Sequence, residues 1–350
     1  MKGLWKVIAP FAPDQSGAAA VLYELNGILV VCDAGGCTGN ICGFDEPRWF
    51  TRKSAVFSAG LRDMDAILGR DEKLVEKLCD AASQLDASFA AVIGTPVPAV
   101  IATDYKALRR MAEKKLTIPV ITVDTDGMEL YDRGASKSYL ALFETFAEDY
   151  PQPVPDAAGV IGATPLDTSS LTAGEDIAEA LKQEGFETVF CYGMGSGLCD
   201  IRKAGGVTKN IIIAPSGLAA AEMLKERFGT PYEIRYPLIP AEIADRYASF
   251  SGKKILIVHQ QVIAHTIREN AEKACAGRTL PRITAASWFM MDGALARDGD
   301  VSLSEEDDFI RLVRNGQYDI IIGDSLLKRA VPEFTGEFID LPHFAVSGRM

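Results

Sequence analysis

The chain has 350 residues, of which 48% are hydrophobic and 24% are charged. This composition is ordinary for a globular protein with real hydrophobic cores, and it excludes a disordered chain or a disulfide-stapled miniprotein. The formal net charge of −12 argues against a general binder of nucleic acid.

No apolar run approaches the roughly 18 residues that a membrane span needs. At the amino terminus, Pro10, Pro13 and Asp14 interrupt the chain before the core of a signal peptide could form. We therefore expect a soluble cytoplasmic protein that binds neither membranes nor nucleic acid.

Short β-rich apolar runs alternate with amphipathic stretches of helical length along almost the whole chain. The predicted strands cover residues 4–10, 27–32, 89–94, 119–123, 158–163, 188–192, 210–214, 254–258 and 319–323. The predicted helices cover residues 71–84, 104–115, 137–148, 173–184, 216–227, 260–276 and 304–315. Because the Val and Ile runs do not alternate with polar residues, the strands should be covered on both faces, as in parallel sheets wrapped by helices. The predicted fold class is doubly wound α/β.

Two segments interrupt this alternation and suggest unit boundaries. Residues 150–159 hold three prolines, and residues 235–254 separate a second unit from a third. The length fits three Rossmann-like units, which we place at residues 1–150, 151–252 and 253–350.

Three of the seven cysteines, Cys32, Cys37 and Cys42, lie within eleven residues at the end of a predicted strand. In a reducing cytosol such a cluster is typical of a metal or catalytic site rather than of disulfides. Thiolates suit zinc or iron–sulfur clusters, and the neighbouring glycines, Gly36 among them, let the backbone approach a bulky inorganic group. The C-x4-C-x4-C spacing alone does not decide between these metals. The alternative is a set of buried cysteines in a tight glycine-rich turn.

Other candidates follow from the position of ligands in open α/β sheets, which bind beyond the carboxyl ends of the strands. This rule selects the loop 33–47, the segments 95–98 and 193–197, Ser287, His259 and Asp324. Residues 193–197 lack the G-x-G-x-x-G order, so a tight strand-to-helix turn is the better interpretation than a nucleotide site. His259 is either a ligand or acid/base group, or a capping or core histidine.

Two further polar features have simpler interpretations. His265 is expected to be an ordinary residue on a helix surface. The acidic run 305–308 lies in the first turn of a predicted helix, where carboxylates complement the helix dipole.

Several segments resemble the component-1 family of nitrogenases, whose superfamily includes light-independent protochlorophyllide reductases and the nickel-tetrapyrrole reductases of methanogens. The GGC of residues 35–37 resembles the element that holds a cluster between subunits in that family. Residues 57–78, 92–108, 119–128 and 210–232 resemble further family segments in the same order. The resemblance covers most of residues 1–250, extends more weakly over 254–350, and implies three Rossmann-like units of the nitrogenase component-1 type.

The resemblance also indicates which cysteine matters most. Cluster-binding members of the family supply three cysteines per chain, and only Cys37 falls on one of those positions here. The amino-terminal position falls near residues 11–13, and the third falls on Thr95. A 4Fe–4S cluster needs four ligands, so two thiolates from each chain of a symmetric homodimer would complete it on the twofold axis. The expected metal ligands are Cys37, Cys32 and Cys42, in that order, with the ligating pair left open.

The resemblance implies a nitrogenase-like iron–sulfur reductase. Such a protein accepts low-potential electrons from a separate ATP-dependent iron–sulfur reductase protein and passes them to a small molecule or cofactor in the cleft between the units. Asp33, Gly36 and Thr95 are expected around the cluster. Ser287 and the candidate catalytic groups His259 and Asp324 are expected in the pocket. The second subunit is an identical chain or a paralogue.

Dinitrogen reduction is not predicted, because neither Cys191 nor Cys199 nor His343 is embedded in a family motif. A different class of function stays open: a carrier or scaffold that holds a metal cluster or tetrapyrrole during cofactor assembly without turnover. A third interpretation is a relative that binds zinc or no metal.

Overall fold

The computed structural model describes residues 5–69, 71–150 and 153–350. Within them the strands form three sheets, and every pairing between neighbouring strands of a sheet is parallel. The α/β class predicted from continuous apolar runs is therefore confirmed. In the described part of the chain, no helix combines the length and apolarity that crossing a membrane requires.

The first sheet has the strand order β2-β1-β3-β4. Its strands are β1 (Gly27–Val31), β2 (Ala55–Ser58), β3 (Phe89–Ile93) and β4 (Val120–Val123). Its helices are α1 (Asp14–Leu22), α2 (Gly36–Asn40), α3 (Asp63–Leu68), α4 (Asp71–Gln84), α5 (Pro96–Val100), α6 (Tyr105–Glu113) and α7 (Tyr131–Phe146). All five residues of β1 and of β3 are buried, as their uninterrupted apolar sequence predicts.

The second sheet has the order β6-β5-β7-β8. Its strands are β5 (Val154–Ile161), β6 (Thr188–Cys191), β7 (Val207–Ile212) and β8 (Tyr232–Ile234), and its helices are α8 (Pro165–Thr168), α9 (Ala173–Gln183), α10 (Leu198–Arg202) and α11 (Leu218–Phe228).

The third sheet has the order β11-β10-β9-β12-β13. Its strands are β9 (Lys254–Val258), β10 (Arg282–Ser287), β11 (Val301–Ser302), β12 (Ile320–Gly323) and β13 (Glu337–Asp340). Helix α12 (Ala241–Ala244) precedes it, and α13 (Gln261–Ala274), α14 (Glu306–Gly316) and α15 (Phe344–Ser347) follow its strands. The unit boundaries at 150 and 252 stay a prediction, and Pro151 and Gln152 of the proline segment lie outside the described residues.

Helix α7 joins the first two sheets in one hydrophobic core. Leu29 and Ile93 of the first sheet, Phe143 of α7 and Ile161 of the second sheet belong to the same buried cluster. Helix α1 crosses α7 so closely that a Cβ at Gly17 would lie 1.7 Å from the carbonyl oxygen of Tyr131. Only glycine permits this approach, so the glycine fixes how the two helices pack.

The predicted strand at 4–10 is wrong. Leu4 lies outside the described residues, and residues 5–12 have no strand structure. The backbone amides of Lys6, Val7 and Ile8 all donate to one carboxylate oxygen of Glu306, at 3.1, 2.9 and 2.9 Å. A side chain therefore satisfies amides that a neighbouring strand would otherwise bind, and Glu306 does more than complement the dipole of α14.

Candidate functional site

The cysteine loop, residues 33–47, follows β1 at the carboxyl-terminal edge of the first sheet. Gly35 precedes α2 with a φ of 124°, which favours glycine. Cys37 lies in the first turn of α2, and Cys42 lies in a π-helical turn over Ile41–Asp45. Both thiols are half-buried, whereas Cys32 at the end of β1 is buried in the core.

Asp33 holds this loop against the sheet. Its carboxylate accepts hydrogen bonds from the backbone amide of Thr38 at 2.8 Å and from the hydroxyl of the same residue at 3.0 Å. It also accepts one from the Ser58 hydroxyl at 2.6 Å. The buried carboxylate thus links β1, α2 and β2 and fixes the start of α2.

Thr95 makes the corresponding link to β3. Its hydroxyl donates to the carbonyl oxygen of Cys32 at 2.8 Å and lies close to the thiol of Cys37. The structure therefore brings Asp33, Thr95, Cys32 and Cys37 together, as the strand-end rule led us to expect. A Cβ at Gly36 would meet nothing within 4 Å, so the backbone there faces open space.

The thiols differ in how readily they could ionise. Burial, with the charges of Asp71 and Asp33, raises the pKa of Cys32 to about 12. Burial and a nearby carboxylate also raise the pKa values of Cys37 and Cys42. A metal would therefore have to displace the thiol protons, which is easier at the two partly accessible residues.

The described residues do not form a closed site for a single metal ion. Among residues 5–69, 71–150 and 153–350, no three His, Cys, Asp or Glu side chains come together in a way that could hold a metal ion.

The edge of the first sheet around this loop exposes large apolar side chains. Val100 is 85% exposed and Met128 is 83% exposed, and Phe44 and Phe50 are also largely exposed. Phe44 lies on the cysteine loop itself, and Val100 and Met128 follow β3 and β4, so these three side chains lie on the same side of the sheet as Cys37. Phe50 lies further along the chain, close to Arg52, whose carbonyl oxygen accepts a hydrogen bond from Tyr23 at the other end of β1. Exposed large apolar side chains that lie next to one another are typical of interaction surfaces.

Arg48, which no sequence motif indicates, stabilises the carboxyl-terminal end of the cysteine loop. Its buried guanidinium donates to both carboxylate oxygens of Glu46 at 2.7 Å, to the carbonyl oxygen of Ala20 at 2.6 Å and to that of Gly193 at 2.8 Å. Glu24 lies 3.7 Å away. Two of these partners are distant in sequence, so no local pattern could have revealed the network.

The same contacts explain the glycine-rich segment 193–197. The amide of Gly195 donates to the Glu24 carboxylate at 2.9 Å, and the carbonyl oxygen of Gly193 accepts a hydrogen bond from Arg48. The amide of Gly195 is therefore already hydrogen-bonded to a carboxylate and is not free to bind a phosphate. This supports the interpretation of residues 193–197 as a structural turn.

A cavity of about 520 Å³ opens between the cysteine loop and the third sheet. It is lined by residues 9–13 and 344–348 and by Asn40, Phe44, Asp45, Leu166 and Leu326. Asp45 accepts hydrogen bonds at 2.6 Å from Ser16 and from Asn40, and burial raises its pKa. The lining is mostly apolar with a few polar groups, which is typical of small-molecule sites.

The three predicted pocket residues of the third sheet do not line this cavity. Both ring nitrogens of His259 have backbone partners, the carbonyl of Pro342 at 3.1 Å and the amide of Gln260 at 2.9 Å. Burial lowers the pKa of His259 to about 4. The Ser287 hydroxyl accepts from the amide of Phe289 at 3.1 Å.

The carboxylate of Asp324 is also hydrogen-bonded within the protein. Its carboxylate accepts from the amides of Leu326 and His343 and from the Ser347 hydroxyl, at 2.9, 3.0 and 2.7 Å. The geometry thus favours the capping and core interpretation of the strand-end residues, and their catalytic role stays a prediction without structural support. His265 is also not a plain surface residue, because it is largely buried and bonds Asp300 at 2.9 Å.

A buried polar network, the inter-sheet junction, lies where the elements of all three sheets meet. The Tyr131 hydroxyl donates to Asp167 at 2.7 Å and lies 2.9 Å from Nε2 of His343. Thr164 donates to the other oxygen of Asp167 at 3.0 Å, and His343 stacks on His259 at 4.2 Å. Burial raises the pKa of Asp167 to about 7. Nothing in the sequence indicated that these distant residues meet.

Comparison with known proteins gives one family and one fold. The family described as "Nitrogenase component 1 type Oxidoreductase" matches residues 14–246. The solved structure "Nitrogenase Cp1 at pH 6.5" superposes with a TM-score of 0.71 at 11% identity, covering 97% of this chain and 87% of its own. "Nitrogenase Cp1 at pH 5" gives 0.69 at 13% identity, covering 100% and 86%. No curated protein matches.

Proposed function

The chain belongs to the nitrogenase component 1 type oxidoreductase family, and on that premise we propose that it is the electron-accepting component of a nitrogenase-like reductase. It receives low-potential electrons from a separate ATP-dependent iron–sulfur reductase protein and delivers them to a small molecule or cofactor in the cavity beside the cysteine loop. One observation carries the proposal: two partly accessible thiols, Cys37 and Cys42, lie on a loop at a sheet edge that exposes large apolar side chains.

The residues present fit a shared 4Fe–4S cluster. Cys37 and Cys42 are partly accessible, and a Cβ at Gly36, Gly39 or Gly43 would meet nothing within 4 Å, so the backbone leaves room for a bulky group. Two thiols per chain supply half of the four ligands, and a second copy related by a twofold axis supplies the rest. Cys32 is the weaker candidate because it is packed in the core. When bound, such a cluster supplies one-electron transfer.

The exposed apolar edge supports a second subunit in the same place. Val100, Met128 and Phe44 are exposed on the side of the sheet that carries the cysteine loop, and a twofold-related copy would cover them while bringing its own thiols to the axis. We take the second subunit to be an identical chain.

The remaining residues fix this arrangement. Asp33 and Thr95 hold the start of α2 and the Cys37 thiol in place, and Arg48 with Glu46 forms a rigid base below them. On the cavity wall, Asp45 is the carboxyl closest to the proposed position of the small molecule, and burial raises its pKa.

Metal analysis of anaerobically purified protein tests the proposal. We expect about two irons and two acid-labile sulfides per chain, with an absorption band that bleaches on addition of dithionite. C37A should lose the iron, whereas C199A, which removes an exposed cysteine in helix α10, should retain it. Wild-type protein without iron after reconstitution, or C37A with full iron, would overturn the proposal.

A second candidate is a carrier that holds a metal cluster or tetrapyrrole without turnover. This carrier function is favoured because the side chains of His259, Asp324 and Ser287 are hydrogen-bonded to the protein backbone, so they are not free to act on a substrate. Transfer of iron from the reduced protein to an acceptor apoprotein, without reoxidation by any small molecule, would identify this role.

A further inference from the structure

A second cavity, of about 510 Å³, lies between edge strand β2 and helix α4, away from the cavity described above. Val30, Leu74 and Leu78 are buried and form its apolar walls, while Phe57 and Leu85 are exposed at its rim. A volume of this size lies within the range of about 300–1,000 Å³ that small-molecule sites occupy. The walls therefore suit an aliphatic chain.

One cation, Lys77, belongs to this lining. Its ammonium group donates to the carbonyl oxygen of Ala59 at 2.6 Å, and it has no carboxylate partner in the described part of the chain. By contrast, Lys73, one turn earlier on α4, pairs with Asp65 at 3.1 Å. The exposed Lys77 ammonium has three N–H donors, so it can keep the Ala59 carbonyl and still bind a carboxylate, which adds the opposite charge that a carbonyl oxygen lacks.

The cavity wall is connected to the cysteine loop. Ser58 lines the cavity, and its hydroxyl donates at 2.6 Å to Asp33. The same carboxylate binds the amide and hydroxyl of Thr38, the residue after Cys37. A ligand that moves Ser58 therefore acts on the residue that fixes the start of α2.

We propose that this cavity, the β2–α4 groove, binds a small amphipathic carboxylate. The aliphatic chain lies against Val30, Leu74 and Leu78, and the carboxylate bonds Lys77. Binding changes the position and accessibility of the Cys37 thiol through the hydrogen bonds of Ser58 and Asp33. The site does not depend on the proposed reductase activity, because it is built from residues outside the metal-binding set.

Calorimetric titration of the full chain with decanoate, below its micelle concentration, tests the binding. We expect saturation at one site per chain, and at least tenfold weaker binding of decanol, which lacks the charge. K77Q should weaken decanoate binding about tenfold or more, and A81F, which fills the groove, should abolish it. The matched control K73Q should bind like wild type.

The connection to Cys37 has its own readout. In metal-free protein, saturating decanoate should change the alkylation rate of Cys37 severalfold, measured site by site by mass spectrometry, while that of Cys199 stays constant. K77Q should need about tenfold more decanoate for the same effect.

The proposal is overturned by equal affinity of K77Q and K73Q, by decanol binding as tightly as decanoate, or by non-saturable uptake. An unchanged Cys37 rate at saturation overturns the connection to the loop. If decanoate fails to bind and A81F instead changes the association state of the chain, the groove is an interface between copies and the proposal is wrong. None of these outcomes bears on iron content, so the reductase proposal is tested separately.

Discussion

The cysteine loop and the inter-sheet junction both lie beyond the carboxyl ends of parallel strands, yet they differ in what they leave free. At the cysteine loop, the thiols of Cys37 and Cys42 are partly accessible and large apolar side chains face outward. At the junction, Tyr131 and Asp167 are buried and bonded to residues of other sheets. Position at a strand end therefore does not identify a site by itself. It indicates a site only where thiols or polar side chains are accessible and are not already bonded within the protein.

The largest effect is expected where the base of the cysteine loop meets the second sheet. Replacing Arg48 by methionine leaves Glu46 buried without its cation and removes the bond to Gly193. Loss of one partner of a buried ion pair costs about 3–5 kcal/mol, so R48M should unfold at a much lower urea concentration.

Arg52 provides the matched control, because it also pairs with Glu24 but its side chain is partly exposed. R52M should cost less than about 1 kcal/mol. Equal destabilisation by the two variants would show that the loop has no rigid base.

A smaller loss is expected at the junction. Removing the hydroxyl in Y131F leaves Asp167 and His343 without their shared partner in a buried site. An unsatisfied buried polar group costs about 1–3 kcal/mol, which urea unfolding would measure. Y232F, in edge strand β8, should change stability by less than about 0.5 kcal/mol. Similar values for both variants would contradict a junction held by hydrogen bonds.

The junction should also make stability depend on pH. The pKa of Asp167 is raised by burial to about 7, so its contribution is complete below the unfolded value and is lost as pH rises through about 7. His259 acts in the opposite direction: its pKa is lowered to about 4, so its contribution is complete above about 6.5 and is lost as pH falls through about 4.

The variant D167N separates the two groups. It removes only the carboxyl, so the stability of D167N relative to wild type should increase between pH 5 and pH 8. Urea midpoints at several pH values provide the measurement. A constant difference across this interval would mean that Asp167 does not titrate there.

The smallest effect on stability is expected at the apolar edge. Val100 is exposed, so V100D should change the free energy of unfolding by less than about 0.5 kcal/mol. It should nevertheless weaken self-association, because it places a charge in the proposed contact. L280D, at an exposed leucine just before β10 of the third sheet, should leave association unchanged. Sedimentation equilibrium compares the association constants of V100D and L280D. Equal constants would show that Val100 does not lie in the interface between the two copies.

Much of the fold could be predicted because buried parallel strands carry continuous apolar runs. The runs of β1, β3 and β9 are of this kind. The strands β2, β8, β11 and β13 were missed because they are short and lie at sheet edges, where partial exposure removes the apolar signal. The inner strand β10 was also missed, because its sequence, RITAAS, mixes polar and small residues and only its second half is buried. The false strand at 4–10 has such a signal, but Glu306 satisfies its amides.

The site was only partly predictable for a related reason. Asp33, Thr95 and Cys37 come together because adjacent parallel strands end at the same edge, which the sequence order makes visible. Arg48 and Gly193 are 145 positions apart, and Tyr131 and His343 are 212 positions apart. Such contacts depend on how the sheets pack, and no local pattern encodes them.

Native mass spectrometry of the anaerobically purified protein tests the central claim most directly, because it counts chains and metal atoms in one particle. The predicted species is a dimer carrying a single 4Fe–4S cluster, with V100D giving metal-free monomers although its cysteines are intact. A monomer that carries a complete cluster, or a reconstituted dimer without iron, would contradict a cluster shared between two copies of the cysteine loop.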